Sequence, residues 1–219
     1  MLKNKKGIHH VEYAIAVSIF LIALIFILSF SYVPLQKEKF STDSLEKIFR
    51  KQTEISVTKI ILNVTGTETC YNISLNSNLP NDENKVIIKN NNANPGFTIH
   101  DGRLLIENGI SNIYEIYSFE GVAGHDTVNG PCTSPTYSYS LPYEEKLIFN
   151  NSFANLNYDS IKSSIGKDFS IIIKNESSEI FNLTKMKPLN VEVQAKEFHA
   201  RMINPNAEVQ EIKVILQVW

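Results

Sequence analysis

Cysteine, tryptophan and any surplus of charge are scarce in this chain, and each shortage closes off a class of function. Two cysteines among 219 residues build no zinc Cys/His ladder. The five histidines, His9, His10, His100, His125 and His199, form no H-E-x-x-H pair and no other close metal-ligand spacing. There is no G-x-S-x-G elbow and no glycine loop of the kind that cradles phosphate, so catalysis, a metal and a cofactor are not expected. With 21 basic and 23 acidic residues the net charge is −2, and nothing supplies the basic field that attracts nucleic acid. Internal repeats are absent too. The 43% hydrophobic content nevertheless allows a chain of this length to bury a substantial core.

What is present is unevenly placed. Residues 14–33 read AIAVSIFLIALIFILSFSYV, with neither a charge nor a proline. At about 1.5 Å per residue, some 20 such residues match a hydrocarbon layer about 30 Å thick, so a membrane-spanning helix over 8–34 is expected. A cleaved secretory signal has a shorter apolar region and an A-x-A-like site, which this run lacks before Pro34. Lys3, Lys5 and Lys6 precede the run, and Lys37 and Lys39 follow it beside Glu38. The denser N-terminal charge places the N-terminus in the cytoplasm and the remainder outside the cell.

A plain anchor needs neither Gly7 nor Glu12. A carboxylate at the start of an apolar helix is costly and calls for a cationic partner. The sequence KKGIHHVE followed by the apolar run resembles the leader of type IV pilin-like proteins, the class III signal peptide of archaea. His9, His10 and the lack of a proline inside the apolar run depart from the bacterial pattern. The resemblance covers about the first 35 residues. It implies that a prepilin peptidase recognises Lys5, Lys6 and Gly7 and cuts before Ile8, leaving Glu12 as fifth residue of the mature chain. The new amine on Ile8 of one copy would then be neutralised by Glu12 of a neighbour, a register-setting pair formed only on assembly. Loss of residues 1–7 leaves 18 basic residues against 23 acidic ones, a mildly acidic product. The implied partners are the membrane, the peptidase, and other copies or related pilin subunits.

Beyond the apolar run, Asp43 with Glu46 three residues later opens a short amphipathic helix to about residue 51, a linker over 35–52. Alternation then replaces the helical period. EISVTKIILNV, KVIIKN, FTIHDGRLLIEN, NIYEIYSF, KLIFNN, FSIIIKN and SEIFNLT each have strand length between polar or turn-forming clusters. Asp101-Gly102 suits a tight hairpin, and 189–219 reads as two long strands joined across 204–206. One helix is expected at 158–166, stopped by Gly166. The fold class is therefore α+β: an N-terminal transmembrane helix and a mainly antiparallel, sandwich-like head over 53–219, with a possible break near 120–140.

Cys70 and Cys132 form an even pair suited to a disulfide in an exported head; two buried thiols are the alternative. Five Asn-x-Ser/Thr sequons, at Asn63, Asn72, Asn150, Asn175 and Asn182, permit glycosylation, although composition alone supplies about three. His125-Asp126 near Cys132 reads first as a turn, as Glu144-Glu145 reads as a solvated strand edge. Tyr137, Tyr139 and Tyr143 read as loop packing rather than a sugar-stacking surface. The expected function is a filament-forming, pilin-like structural subunit at the cell surface, in an adhesion or secretion machine. The alternatives are an uncleaved single-pass protein whose head binds a glycan or a protein, and a membrane-anchored hydrolase using the 120–145 loop.

Overall fold

The β-branched, alternating segments of the sequence become strands because one side of each can be buried while the other is wetted. In a computed structural model, which describes residues 5–75, 79, 81–128, 130–187 and 189–219, twelve strands, two α-helices and two short 3₁₀ helices are found among those residues. Within the first helix, side chains are described for 13–28 and from 42 onward. That helix, α1, runs over Lys5–Thr53. Its chain continues into β1 (Glu54–Thr65), β2 (Cys70–Ser74), β3 (Val86–Lys89), β4 (Phe97–His100), β5 (Arg103–Glu107) and β6 (Ile113–Ser118). After these come β7 (Thr136–Tyr139), β8 (Tyr143–Phe149), α2 (Tyr158–Ile165), β9 (Phe169–Lys174), β10 (Glu179–Thr184), β11 (Gln194–Ile203) and β12 (Val209–Val218).

A large sheet follows the order β10-β9-β12-β11-β8-β1-β6-β3, with β7 also beside β1, and a small one the order β2-β5-β4. Pairing is antiparallel except where β8 meets β11 at Met202 opposite Ile148 and Ile203 opposite Phe149. The head is thus mainly antiparallel β. Alternation sorts the core into three parts. Ile60, Leu62, Val64, Tyr114 and Ile116 of the large sheet meet Tyr71, Ile73, Leu104 and Ile106 of the small one. Val57, Leu147, Phe149 and Ile203 pack on the opposite face. At the C-terminal half, Phe169, Ile171, Ile173, Ile212, Val214 and Leu216 are covered by Tyr158 and Ile161 of α2 and by Leu45 and Phe49 of α1.

Local chemistry explains the turns. Asp101 and Gly102 both have positive φ, at 50° and 72°, the backbone that a two-residue hairpin demands. α2 is capped by the Asn157 side chain, which accepts from Ser160 N at 3.0 Å, and ends at Gly166 with φ 72°.

Several expectations are corrected. No helix among the described residues is long and apolar enough to cross a membrane. This overturns the transmembrane helix over 8–34, and with it the transmembrane part of the fold class, the single-pass topology and membrane-anchored localisation with the head outside the cell. Nor does Pro34 end a helix: α1 passes through it and absorbs the separate helix expected at 43–51. A proline in a helix interior removes one backbone donor, at a cost of about 3 kcal/mol. β2 and β7 are strands that the sequence reading left out; CYNIS and TYSY alternate, but at five and four residues, half of them polar, they are too short to stand apart from loop.

Phe49 is fully buried and Leu141 is 88% exposed. In chemical denaturation, Phe49→Ala is expected to cost about 3–5 kcal/mol of stability, and Leu141→Ala less than about 0.5 kcal/mol.

Candidate functional site

The residues with the most unusual surroundings lie on α1, which has two contrasting parts. In its C-terminal part Leu45 and Phe49 are fully buried, and Thr53 donates its hydroxyl to Phe49 O at 2.8 Å. Around this contact sits a charged clamp. Lys196 Nζ on β11 reaches Asp43 Oδ1 and Glu46 Oε2, both at 2.6 Å. Arg50 donates to Glu46 Oε1 at 2.8 Å and to Glu54 Oε1 at 2.6 Å, while its guanidinium lies 4.4 Å from the centre of the Phe198 ring. Burial pushes the Glu46 carboxyl up, but the hydrogen bonds from Lys196 and Arg50 outweigh it and hold the carboxyl below its ordinary range. On Lys196 the hydrogen bonds to Asp43 and Glu46 outweigh desolvation and push the ammonium up.

The other part, residues 13–28, is exposed at every position. Ile15, Ile19, Ile22 and Phe26, spaced four, three and four apart, form one stripe and are 54–62% exposed. Val17, Leu21, Leu24 and Leu28 form a second stripe, two residues and therefore about 200° away. The only described polar group on this stretch besides Tyr13 is Ser18, whose hydroxyl is turned back to Ala14 O at 2.8 Å. Apolar side chains on opposite sides of one helix can touch more than one neighbour at once.

The residues singled out in the sequence are distributed over the whole molecule. Lys5, Lys6, Gly7, Ile8 and Glu12 belong to α1, and their side chains lie outside the described residues. Cys70 and Cys132 are joined as a disulfide, Cα atoms 4.8 Å apart, beside Asn72 N, which donates to Thr133 O at 2.7 Å. With that sulfur bonded, no thiol stands near His125 for nucleophilic work. The His125 ring stacks on Phe97 at 3.8 Å and 12°, and Phe97 N donates to Asp126 O at 2.9 Å, so this pair pins the loop onto β4. His125 Nε2 is buried without a hydrogen-bond partner, 4.0 Å from Glu83 Oε2. Among the described residues, no group of three or more His, Cys, Asp or Glu side chains could hold a metal ion.

Glu144 and Glu145 do not guard an edge. β8 lies between β11 and β1, and Glu145 accepts from Arg201. Tyr137 and Tyr139 pack against the inter-sheet core, with Tyr139 Oη donating to Ser74 O at 3.2 Å and burial pushing its phenol up. Tyr143 remains 59% exposed. The clamp escaped sequence reading because Lys196 and Asp43 stand 153 positions apart. Only the four-residue spacing of Glu46, Arg50 and Glu54 signals it locally.

No family model matches this chain, and neither the curated proteins nor the solved structures contain a significant match to it.

The Glu46 carboxyl, lowered in the folded state, contributes stability that is complete above the ordinary glutamate pKa of about 4.3 and is lost as pH falls through the lower folded value. Denaturation measured between pH 7 and pH 2 is expected to show a shallower acid loss in Glu46→Gln than in the parent, together with a lower neutral-pH stability.

Proposed function

We propose that the chain is a type IV pilin-like assembly subunit, cut after Gly7 by a prepilin peptidase and joined through α1 to other copies or related subunits in a filament. The observation that supports this reading is the exposed apolar stretch 13–28 with its two opposite stripes. A helix that is apolar all round belongs in the interior of a larger structure, and opposite stripes suit a bundle with several neighbours rather than a single partner helix. Such packing buries apolar area at about 25 cal/mol per Å². The leader sequence KKG followed by Glu12 adds the charge logic. Cleavage turns Ile8 into the amino terminus, a cation at neutral pH, and Glu12 of an adjacent copy is a carboxylate to match it. Inside an apolar bundle an unpaired carboxylate is far costlier than a paired one, so the pairing selects one register among many.

The clamp supports the same reading from the other side. It fixes α1 on β11 and β12, so that helix and head move together and helix packing also sets where the heads stand.

Sequencing the N-terminus of the protein from its native cells is expected to begin at Ile8, and Gly7→Val to leave the lysine leader in place; a parent chain starting at Met1 would overturn the processing step. Glu12→Ala is expected to be cut normally but to enter filaments, counted by sedimentation and negative-stain microscopy, at least tenfold less. Ile19→Lys and Leu21→Lys, on opposite stripes, should each reduce assembly; if only one does, the bundle with several neighbours gives way to a simple pair.

A further inference from the structure

The structure separates the five sequons into two exposed and three half-buried asparagines. Asn150 is half-buried at the start of the short 3₁₀ helix Asn150–Asn155 that follows β8, its Oδ1 turned inward with no hydrogen-bond partner. Asn175 is tied into the β9–β10 turn, its Oδ1 accepting from the backbone N and the hydroxyl of both Ser177 and Ser178 at 2.7–3.3 Å. Asn72 is half-buried, paired to Leu105 on one side and held on the other by the segment that carries Thr133. Asn63 and Asn182 are different. Both are exposed, on the outward face of a strand, and the hydroxyl residues of their sequons, Thr65 and Thr184, are exposed as well.

Each of these two also stands beside aliphatic surface that the chain leaves uncovered. Asn63 on β1 lies directly opposite Ile113 on β6, 52% exposed, and two residues from Ile61, 41% exposed on the same face. Asn182 on β10 lies directly opposite the half-buried Ile172 on β9, whose other neighbour in the row is Ile215 of β12. Isoleucine in the middle of an open sheet face is a position that natural sheets protect, because bare apolar sheet surface invites association. The two exposed sequons thus coincide with two apolar spots on one face of the large sheet, the face that carries Val57, Leu147 and Ile203, a coincidence that the count of sequons does not supply.

We propose that Asn63 and Asn182 are N-glycosylation sites and that the attached glycans cover Ile61 with Ile113 and Ile172 with Ile215. The donor is an oligosaccharide linked through phosphate to a polyprenyl lipid. Asparagine Nδ2 bonds to the anomeric carbon of the first sugar, the bond from that carbon to the phosphate oxygen breaks, the lipid phosphate leaves with the electron pair, and the amide nitrogen releases one proton. Nothing is oxidised or reduced. At Asn182 the amide donates to Glu179 Oε1 at 3.0 Å and accepts from Thr184 Oγ1 at 2.5 Å, exposed contacts that a transferase can displace.

The inference is independent of filament assembly and is tested without it. Protein isolated from its native cells is digested, and the five sequon peptides are weighed by mass spectrometry. Glycan mass is expected on the Asn63 and Asn182 peptides and on none of the other three. Thr65→Ala, which keeps Asn63 but removes its acceptor sequence, should lose the glycan at Asn63 alone, as should Thr184→Ala at Asn182. Bare Asn63 and Asn182 peptides would overturn the proposal, as would a glycan on the half-buried Asn150. The covering role is read separately: the Asn63→Gln, Asn182→Gln double variant should bind several-fold more of a dye specific for exposed apolar surface, and unchanged dye binding would overturn that part.

Discussion

The contact on which this architecture depends is the burial of Leu45 and Phe49 of α1 against the sheet of β9 and β12, with α2 closing the side. Without that contact the helix would be a rod tethered to a β head by one peptide. With it, the last two and a half turns of α1 become part of a core. The surrounding ion pairs involve partly exposed groups and are worth little singly, but their geometry is specific. Arg50 bridges two carboxylates while lying over Phe198, and Lys196 bridges two more groups one turn earlier. The apolar contact supplies most of the stabilisation and the charges select the angle.

Much of the head was legible in the sequence. The alternation in EISVTKIILNV, FSIIIKN and the last thirty residues reflects burial on one face, and Asp101-Gly102 and Gly166 reflect backbone conformations that few other residues adopt cheaply. Strands β2 and β7 were not legible. Tyr71 and Ile73 of β2 are buried, and Tyr137 and Tyr139 of β7 half-covered, only where the two sheets face each other, and segments of five and four residues do not signal that cover. The position of β8 inside the sheet was hidden for a similar reason. Glu144 and Glu145 look like an exposed margin until Arg201 from β11 is placed beside them.

The candidate site divides in the same way. The apolar stretch is conspicuous in the sequence, but hydropathy alone assigned it to lipid, whereas among the described residues no helix has the length and apolarity to cross a membrane. The clamp could not be read, since its acids and its lysine come from opposite ends of the chain. The sequons could be counted but not ranked, because accessibility depends on which side of a strand faces outward. Register settles that: one position along β1 separates the exposed Asn63 from the fully buried Leu62 and Val64.

The wide separation between α1 and its seat has a consequence during synthesis. The buried residues that receive Leu45 and Phe49, from Ile148 to Val218, are translated about a hundred positions later or more. At about 5–20 residues per second, the helix waits on the order of ten seconds before its seat exists. Through that interval Leu45 and Phe49, as well as 13–28, present uncovered apolar surface to the ribosome's surroundings. The nascent chain is thus a natural client for a factor that shields hydrophobic segments until the C-terminal hairpin has formed.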